Sequence, residues 1–295
     1  MNIAVIGASG FVGKNLIKYL LSNTDHNILA LALDAESIFV EERYVNRIKK
    51  INVDFLNDDI EKIFTGIDVA YYLIHMMKGN KNDFYNKEEK IAEKISQALK
   101  SVNVKRVIYM SGLGRDDEKL SMHLSSRHNT GNILREYVKE VIELRASMII
   151  GEGSISFEIV RNIIDKSPIV ILPKWSKTDT QPIGLRDALL YLEESINLKI
   201  NNHEIIEIGG SEKMSYREFI KRYVKFKNKK TIIIYIPILS EKIAGFFLNF
   251  FTSKDQACVG NCMLESFRNE MIITNNRAKE LFPYITPDKV EESFE

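Results

Sequence analysis

The sequence predicts an α/β protein built on a doubly wound parallel sheet. Three observations lead there. Short apolar runs rich in β-branched residues alternate with helical patterns, a glycine-rich turn directly follows the first run, and the alternation holds as far as Gly153.

The runs are NIAVI (2–6), ILALAL (28–33), INVDFL (51–56), DVAYYLI (68–74), KRVIYMS (105–111) and VIELRASMII (141–150). Strands of this kind joined by crossover helices place a ligand crevice beyond their carboxyl ends. Between the fourth and fifth runs, Phe84, Ile91, Ile95, Ala98 and Val102 fall on one stripe amid KEEKIAEK, the pattern of a helix lying on a sheet. Tyr71 and Tyr72, adjacent in a strand, point to opposite faces. Beyond Gly153 the regularity loosens into SPIVILP, HEIIEIGG and MSYREFI, where Ser215 and Glu218 form a capping box. The division expected is a sheet domain over 1–152 and a smaller C-terminal lobe over 153–295, interleaved with the first, with 170–200 returning to the core.

Composition narrows the function. Lys+Arg (41) and Asp+Glu (40) nearly cancel, so no net field favours nucleic acid, and none is expected as a partner. Cys258 and Cys262 stand four apart with no histidine nearby, which matches neither a disulfide framework nor a zinc set; no metal is expected. The most apolar stretch, IAGFFLNFF (243–251), is far shorter than the run of about 20 that spans a bilayer. A buried helix is expected there, with peripheral membrane contact as the alternative. The first strand begins at Asn2 with no leader pattern before it, so the cytoplasm is the expected location.

VIGASGFVG (5–13) joins the first strand to the helix FVGKNLIKYLL. Gly7 permits the tight turn, Gly10 lets backbone N–H groups approach an anion, and Gly13 lets the helix pack close to the strand. Ser9, Phe11 and Val12 complete the bend, and the helix amino terminus adds donors and partial positive charge. A dinucleotide diphosphate is expected at this bend, with NAD or NADP as cofactor and a Rossmann-type sheet around it. At the end of the second strand Asp34 is placed to accept from the adenosine ribose hydroxyls and to repel a 2′-phosphate. Leu33 stands where NADP binders often carry arginine and no basic residue follows until Arg43, which favours NAD. The competing reading of Asp34 is a turn cap. Asp54 and Phe55 are expected to meet the adenine, and Leu73, Ile74 and His75 to border the ribose and nicotinamide.

The Gly-x-x-Gly-x-x-Gly turn, a strand ending SGLG (111–114) and QPIGLRDALLYL (181–192) together resemble the short-chain dehydrogenase/reductase superfamily in its extended and atypical branches, over nearly the whole chain. More narrowly, DVAYYLIHMM, SRHNTGNILR, ELRASMIIGEGSISFEIVR, IGGSEKMSYRE and SFRNEMII resemble a bacterial subgroup of atypical NAD(P)-binding, NAD-dependent epimerase-like proteins. That subgroup is more remotely similar to NmrA-like redox sensors and to the accessory nucleotide-binding subunit of respiratory complex I. Working dehydrogenases of the superfamily carry Tyr-x-x-x-Lys on the helix after the fifth strand and a Ser or Thr at that strand's end. Here Ser111 ends the strand, the tyrosine position falls on His123 and the lysine position on Arg127; a slip of one residue moves the latter to His128.

Residues four apart on a helix share a face, so His123 and Arg127 can point together into the crevice. His123 and His128 diverge by about 140° on an ideal helix, which disfavours a metal site. An imidazole near 6.5 exchanges a proton unaided, whereas a tyrosine near 10 needs help; arginine holds hydroxyls or carboxylates but keeps its proton. The resemblance therefore implies an NAD(P)-dependent oxidoreductase moving hydride to or from a small organic substrate, a carbonyl or a quinone. Ser111 orients the carbonyl, His123 supplies the proton and Arg127 holds the ribose. The alternatives are a non-catalytic NAD(P)(H) sensor or assembly factor, and a nucleoside-diphosphate-sugar epimerase-like enzyme. Trp175, Phe157 and the aromatics of 246–251 suggest an apolar substrate side, or simply core. Arg145 is an unusual charge in an apolar run, placed to anchor an anion or to pair with a carboxylate such as Glu158.

Overall fold

A strand covered by helices on both faces has no polar side to show, and Ile3, Ala4, Val5 and Ile6 are all buried. They form β1 (Asn2–Ile6) in a computed structural model that describes residues 1–76, 81–237, 253, 260 and 266–294. In chain order there follow α1 (Phe11–Asn23), β2 (Asn27–Ala32), β3 (Ile48–Asn52), β4 (Val69–Tyr72), α2 (Lys81–Ser101), β5 (Arg106–Gly112), α3 (Met122–Tyr137) and β6 (Glu140–Ala146). Next come β7 (Ile149–Ile150), α4 (Ile155–Lys166), β8 (Ile169–Leu172), β9 (Asp179–Thr180), β10 (Ile183–Gly184), α5 (Leu185–Glu194), β11 (His203–Ile208), β12 (Met214–Ser215), α6 (Tyr216–Phe226), β13 (Ile232–Tyr235) and α7 (Arg277–Leu281).

Seven strands in the order β3-β2-β1-β4-β5-β6-β11 make one parallel sheet. This is the Rossmann order extended by one strand, and its direction reverses between β1 and β4, where the crevice opens. The seventh strand is HEIIEI from the later part of the chain, paired with β6 from His203↔Val141 to Ile208↔Ala146. Helices α1 and α5 cover one face, where Tyr71 donates to the Leu192 carbonyl at 2.9 Å. On the other face, under α2 and α3, Tyr72 meets Tyr109 edge-on at 5.5 Å.

Two strands depart from the pattern expected. β3 is IKKIN, three residues earlier than INVDFL: an edge strand has one neighbour and tolerates Lys49 and Lys50, while Val53 to Leu56 turn away under Asp54. VIELRASMII breaks at Ser147, whose hydroxyl donates to the Gln181 carbonyl; β7 then leaves the sheet to pair with β10.

Glu143 and Arg145, two apart on β6, share a face and pair there at 2.8 Å. Arg145 also reaches Asp116 at 2.9 Å, and Arg135 of α3 closes on the other oxygen of Glu143. The partner of Arg145 is thus Glu143, fully buried, and not Glu158, which pairs with Arg161 at 3.1 Å on its own helix. Gly131 lies directly above the Glu143 carboxylate, and a Cβ there would occupy its space.

A third apolar cluster joins Met148 and Ile150 to Phe157, Phe219, Tyr223 and Phe294. Phe157 stacks on Phe294 at 6.0 Å and meets Tyr223 edge-on at 5.2 Å; at 1% exposure it is core and does not line a crevice. Trp175 stacks on Phe267 at 4.8 Å. Ser215 caps α6 by accepting the Glu218 N–H at 3.2 Å, while the Glu218 carboxylate accepts from Arg222. Cys258, Cys262 and IAGFFLNFF lie outside the described residues. Among the described residues no helix is long and apolar enough to cross a membrane, and no group of side chains has the make-up of a metal site.

Candidate functional site

The bend after β1 is shaped by missing side chains. Gly7 has φ +85°, and a Cβ on it would stand 2.8 Å from the Leu73 carbonyl carbon and 2.9 Å from the Ile74 nitrogen. A Cβ on Gly13 would stand 2.6 Å from the Gly7 oxygen, so α1 seats directly on the turn. Gly10 is the N-cap of α1 and brings no capping side chain, which leaves the first-turn amides of Phe11, Val12 and Gly13 open to an outside acceptor. The Phe11 ring packs on the turn at Gly151, where a Cβ would lie 3.3 Å away. Ser9 is half-buried beside it. Such a backbone-lined hollow fits a diphosphate and has no room for a side chain in its place.

Asp34 is exposed just past the end of β2. One carboxylate oxygen accepts the Ser37 N–H at 3.1 Å, so it caps its turn, and its other oxygen has no partner among the described residues. Asp54 is more committed: one oxygen accepts from Leu56 N–H at 2.9 Å and the other from the Asn57 amide at 2.8 Å, contacts that lower its pKa. The Phe55 ring, 6% exposed, packs with Ile60 and Phe64. The Phe55 ring is thus committed to the core, while the half-buried Asp54 carboxylate is held by its own turn.

At the ends of β4 and β5 the structure gathers His75, Glu88, His123, Ser126 and Arg127. Helix α3 begins at Met122 behind the Ser121 cap, so His123 stands in its first turn and Arg127 one turn on. The His123 and His75 ring centroids are 4.7 Å apart. Arg127, 6% exposed, donates to the Ile74 carbonyl at 2.8 Å and to the Met110 carbonyl, and lies 4.9 Å over the Tyr109 ring. Its planar fork matches carbonyls that the ends of the ladder leave over. Arg127 thus braces two strand ends, which corrects the expectation that its donors are free for a ribose. His128 turns to the loop after β5, with Nε2 3.0 Å from the Gly112 oxygen and Nδ1 2.7 Å from Asp116. The residue gathered with His123 is therefore Arg127. Ser111 is the penultimate residue of β5; its hydroxyl is buried on the strand face that carries the Tyr109 phenol.

Glu88 was not legible as a site residue. It is 2% exposed, accepts from the Met76 N–H at 2.8 Å and the Ser126 hydroxyl, and faces His75 Nδ1 at 3.4 Å. Burial opposes its charge, but the bonds from His75 and Ser126 and the nearby Arg127 outweigh burial and hold its carboxyl at about 2. The signal lay in the spacing: Glu88 is three before Ile91 and seven before Ile95, on the apolar stripe of its helix.

Burial, then the neighbouring His75 and Arg127, push His123 well below the ordinary histidine range. His75 is lowered as well, by desolvation in the packed crevice and by Arg127, although 28% of its side chain meets solvent. Both rings bind protons in the unfolded chain near the ordinary value of 6.5 and resist them when folded. Below that pH the unfolded state holds more protons, so stability falls as the pH falls. Thermal melting is expected to drop steadily from about pH 6.5 downward, and less steeply in His123→Gln; a melting temperature unchanged down to about pH 5 contradicts the low histidine pKa values.

Fold and turn together define a dinucleotide-binding Rossmann protein. The profile described as NAD(P)H-binding matches residues 7–161, more than half of the chain, and the protein belongs to that family. No curated protein matches it. Among solved structures it is similar to a nucleoside-diphosphate-sugar epimerase from Staphylococcus aureus (14% identity, 100% of this chain and 99% of that chain, TM-score 0.77). It is similar also to a UDP-glucuronic acid 4-epimerase from Bacillus cereus in complex with UDP-glucuronic acid and NAD (17% identity, 100% and 96%, TM-score 0.76). A third is MoeE5 in complex with UDP-glucuronic acid and NAD (12% identity, 100% and 96%, TM-score 0.76).

Proposed function

We propose that the protein is an NAD(P)-dependent oxidoreductase that exchanges hydride with the carbon of a secondary alcohol or the matching carbonyl. The observation that supports this best is His123, in the first turn of α3 and held neutral beside His75. A nicotinamide bound at the 7–13 bend would supply the carbon that accepts or donates the hydride. A neutral imidazole is a proton acceptor, so His123 at rest takes the hydroxyl proton of an alcohol and does not begin as the donor of a reduction. Its conjugate acid is strong and gives the proton back readily in the reverse direction. Ser111 offers its hydroxyl to the substrate oxygen, and Arg127 keeps the ends of β4 and β5 in register. Residues 1–152 hold the dinucleotide in this reading, and most of 153–295 shape the substrate side.

Asp34 favours NAD. Its unpaired oxygen is placed for a ribose hydroxyl and its charge opposes a 2′-phosphate. Asp34→Ala is expected to weaken NADH binding about tenfold and to leave or improve NADPH binding. Fluorescence titration of both reduced coenzymes reads this, and an unaltered preference removes Asp34 from the ribose.

A second reading, an epimerase-type reaction on a nucleotide-linked sugar, draws on two cations of the later lobe. Lys177 and Arg217 lie 4.8 and 5.3 Å from the Tyr235 ring centroid, and neither has a carboxylate partner among the described residues. Trp175 and Phe267 both meet the Tyr216 ring, next in the chain to Arg217, and Ser266 beside Phe267 bonds Ser121 at the start of α3. Two of the similar structures named above, MoeE5 and the Bacillus cereus 4-epimerase, carry UDP-glucuronic acid with NAD. One panel separates the readings: UDP-sugars alongside simple carbonyls, alcohols and quinones, each with NAD and NADP. Turnover confined to UDP-sugars selects the second reading. Tight coenzyme binding with no turnover of any class leaves a dinucleotide sensor.

A further inference from the structure

Glu88 has no task in the reaction as proposed so far, yet three elements converge on it. From α2 its carboxylate accepts the Met76 N–H at 2.8 Å and the Ser126 hydroxyl of α3, and it faces Nδ1 of His75 at 3.4 Å. Arg127 approaches the same Nδ1 at 3.3 Å, and among the described residues the Tyr72 phenol of β4 and the His123 ring are also near. One nitrogen cannot donate to a carboxylate and accept from a guanidinium at once, so the two neighbours call for opposite tautomers. Arg127 already has the Ile74 and Met110 carbonyls, and loses little without a further acceptor. A bare Nδ1 lone pair set against Glu88 is the more costly arrangement, so the proton sits on Nδ1. Nε2 is then a free lone pair, with no partner among the described residues, on a ring 4.7 Å from His123 that is partly open to solvent.

We propose that Glu88 and His75 form a positioning pair for His123, in which Glu88 keeps a proton on His75 Nδ1 so that Nε2 can carry away the proton His123 takes from substrate. The proposal rests on the reading of His123 given above. In alcohol oxidation the hydroxyl proton moves to His123, from there to Nε2 of His75 directly or through one water, and from its solvent-open edge to bulk water. The Nδ1 proton stays in place throughout, and the transient positive charge on His75 is countered by Glu88. Arg127, one turn beyond His123, cannot serve as this exit: arginine keeps its proton, and two of its donors are committed to the backbone.

The test is long-range 1H–15N correlation on the full chain labelled with 15N-histidine. Wild-type His75 is expected as the Nδ1–H tautomer. Glu88→Gln should convert it to Nε2–H, because Arg127 is then the strongest partner left to Nδ1, whereas Ser126→Ala, which keeps the carboxylate, should not. A wild-type His75 protonated on Nε2, or a tautomer indifferent to Glu88→Gln, overturns the pair. The wild-type spectrum decides even where Glu88→Gln folds poorly. In turnover, Glu88→Gln is expected to lower kcat about tenfold or more and to move the acidic limb of the pH profile to lower pH, with KM for the coenzyme unchanged. An unshifted limb rejects the relay. The spectra need no substrate, so a chain that turns nothing over yet shows the Nδ1 tautomer refutes the function assigned to His123 and not the pairing of Glu88 with His75.

Discussion

His123→Gln is expected to lower kcat by about 10²- to 10⁴-fold, the range that a positioned proton-exchanging group contributes, while coenzyme affinity stays within about twofold of wild type. Glutamine keeps hydrogen-bonding atoms at the start of α3 and retains the helix behind its Ser121 cap, but it cannot bind and release a proton. The split between kcat and coenzyme affinity follows from position. The bend proposed for the diphosphate lies at residues 7–13, whereas His123 packs against His75 at the end of β4. The two effects on its proton act in the same direction: burial disfavours the imidazolium, and His75 and Arg127 add to that, against only Glu88. The oxidation rate of wild type therefore holds its plateau well below pH 6.5, and the residual rate of the variant is nearly independent of pH there. Steady-state rates on the substrate that turns over, with coenzyme titration by fluorescence, measure both. Turnover untouched by the substitution removes His123 from the chemistry.

The legibility of this site varied with how local each signal was. Gly7 and Gly13 could be read because a single turn needs them: both meet backbone within six residues or across the adjacent strand, and no distant side chain alters that need. The positions of His123 and Arg127 on one helix could also be read, since helical spacing is local. What Arg127 does could not, because its acceptors are carbonyls at 74 and 110, brought together only when β4 and β5 pair. Glu88 was hidden for a different reason. In KEEKIAEK a carboxylate looks like part of a solvated face, and only its place on the stripe with Ile91 and Ile95 marks it as inward. The third strand slid for a third reason: an edge strand is selected weakly by burial, so Lys49 and Lys50 suppress the apolar pattern on which its detection depends. Arg145 was rightly odd, but the carboxylate suggested for it was Glu158, thirteen residues on, and Glu143 became its partner because strand geometry puts them two apart on one face.

Three glycine substitutions separate what the bend does for folding from what it does for binding. Gly66 has φ +77° with nothing within 4 Å of a built Cβ, so Gly66→Ala meets backbone strain alone, about 1–2 kcal/mol, and leaves coenzyme binding intact. Gly7→Ala meets similar strain at φ +85° and adds a Cβ 2.8 Å from the Leu73 carbonyl carbon, which is backbone and cannot rotate away. Overpacking of that kind costs about 1–3 kcal/mol more, and relieving it forces β1 and β4 apart at the mouth of the crevice. Gly10 is the converse: a Cβ there meets only the Gly7 oxygen at 3.2 Å, and the residue sits at φ −69°, which any side chain adopts. Gly10→Ala should therefore melt near wild type yet bind NADH at least about tenfold more weakly, since the new methyl stands where the diphosphate must approach the α1 amides. Gly7→Ala should lose both stability and binding, by more than Gly66→Ala and Gly10→Ala respectively. Thermal melts and coenzyme titration across the three give the ordering, and a Gly10→Ala protein that binds NADH as wild type does would move the diphosphate away from this turn.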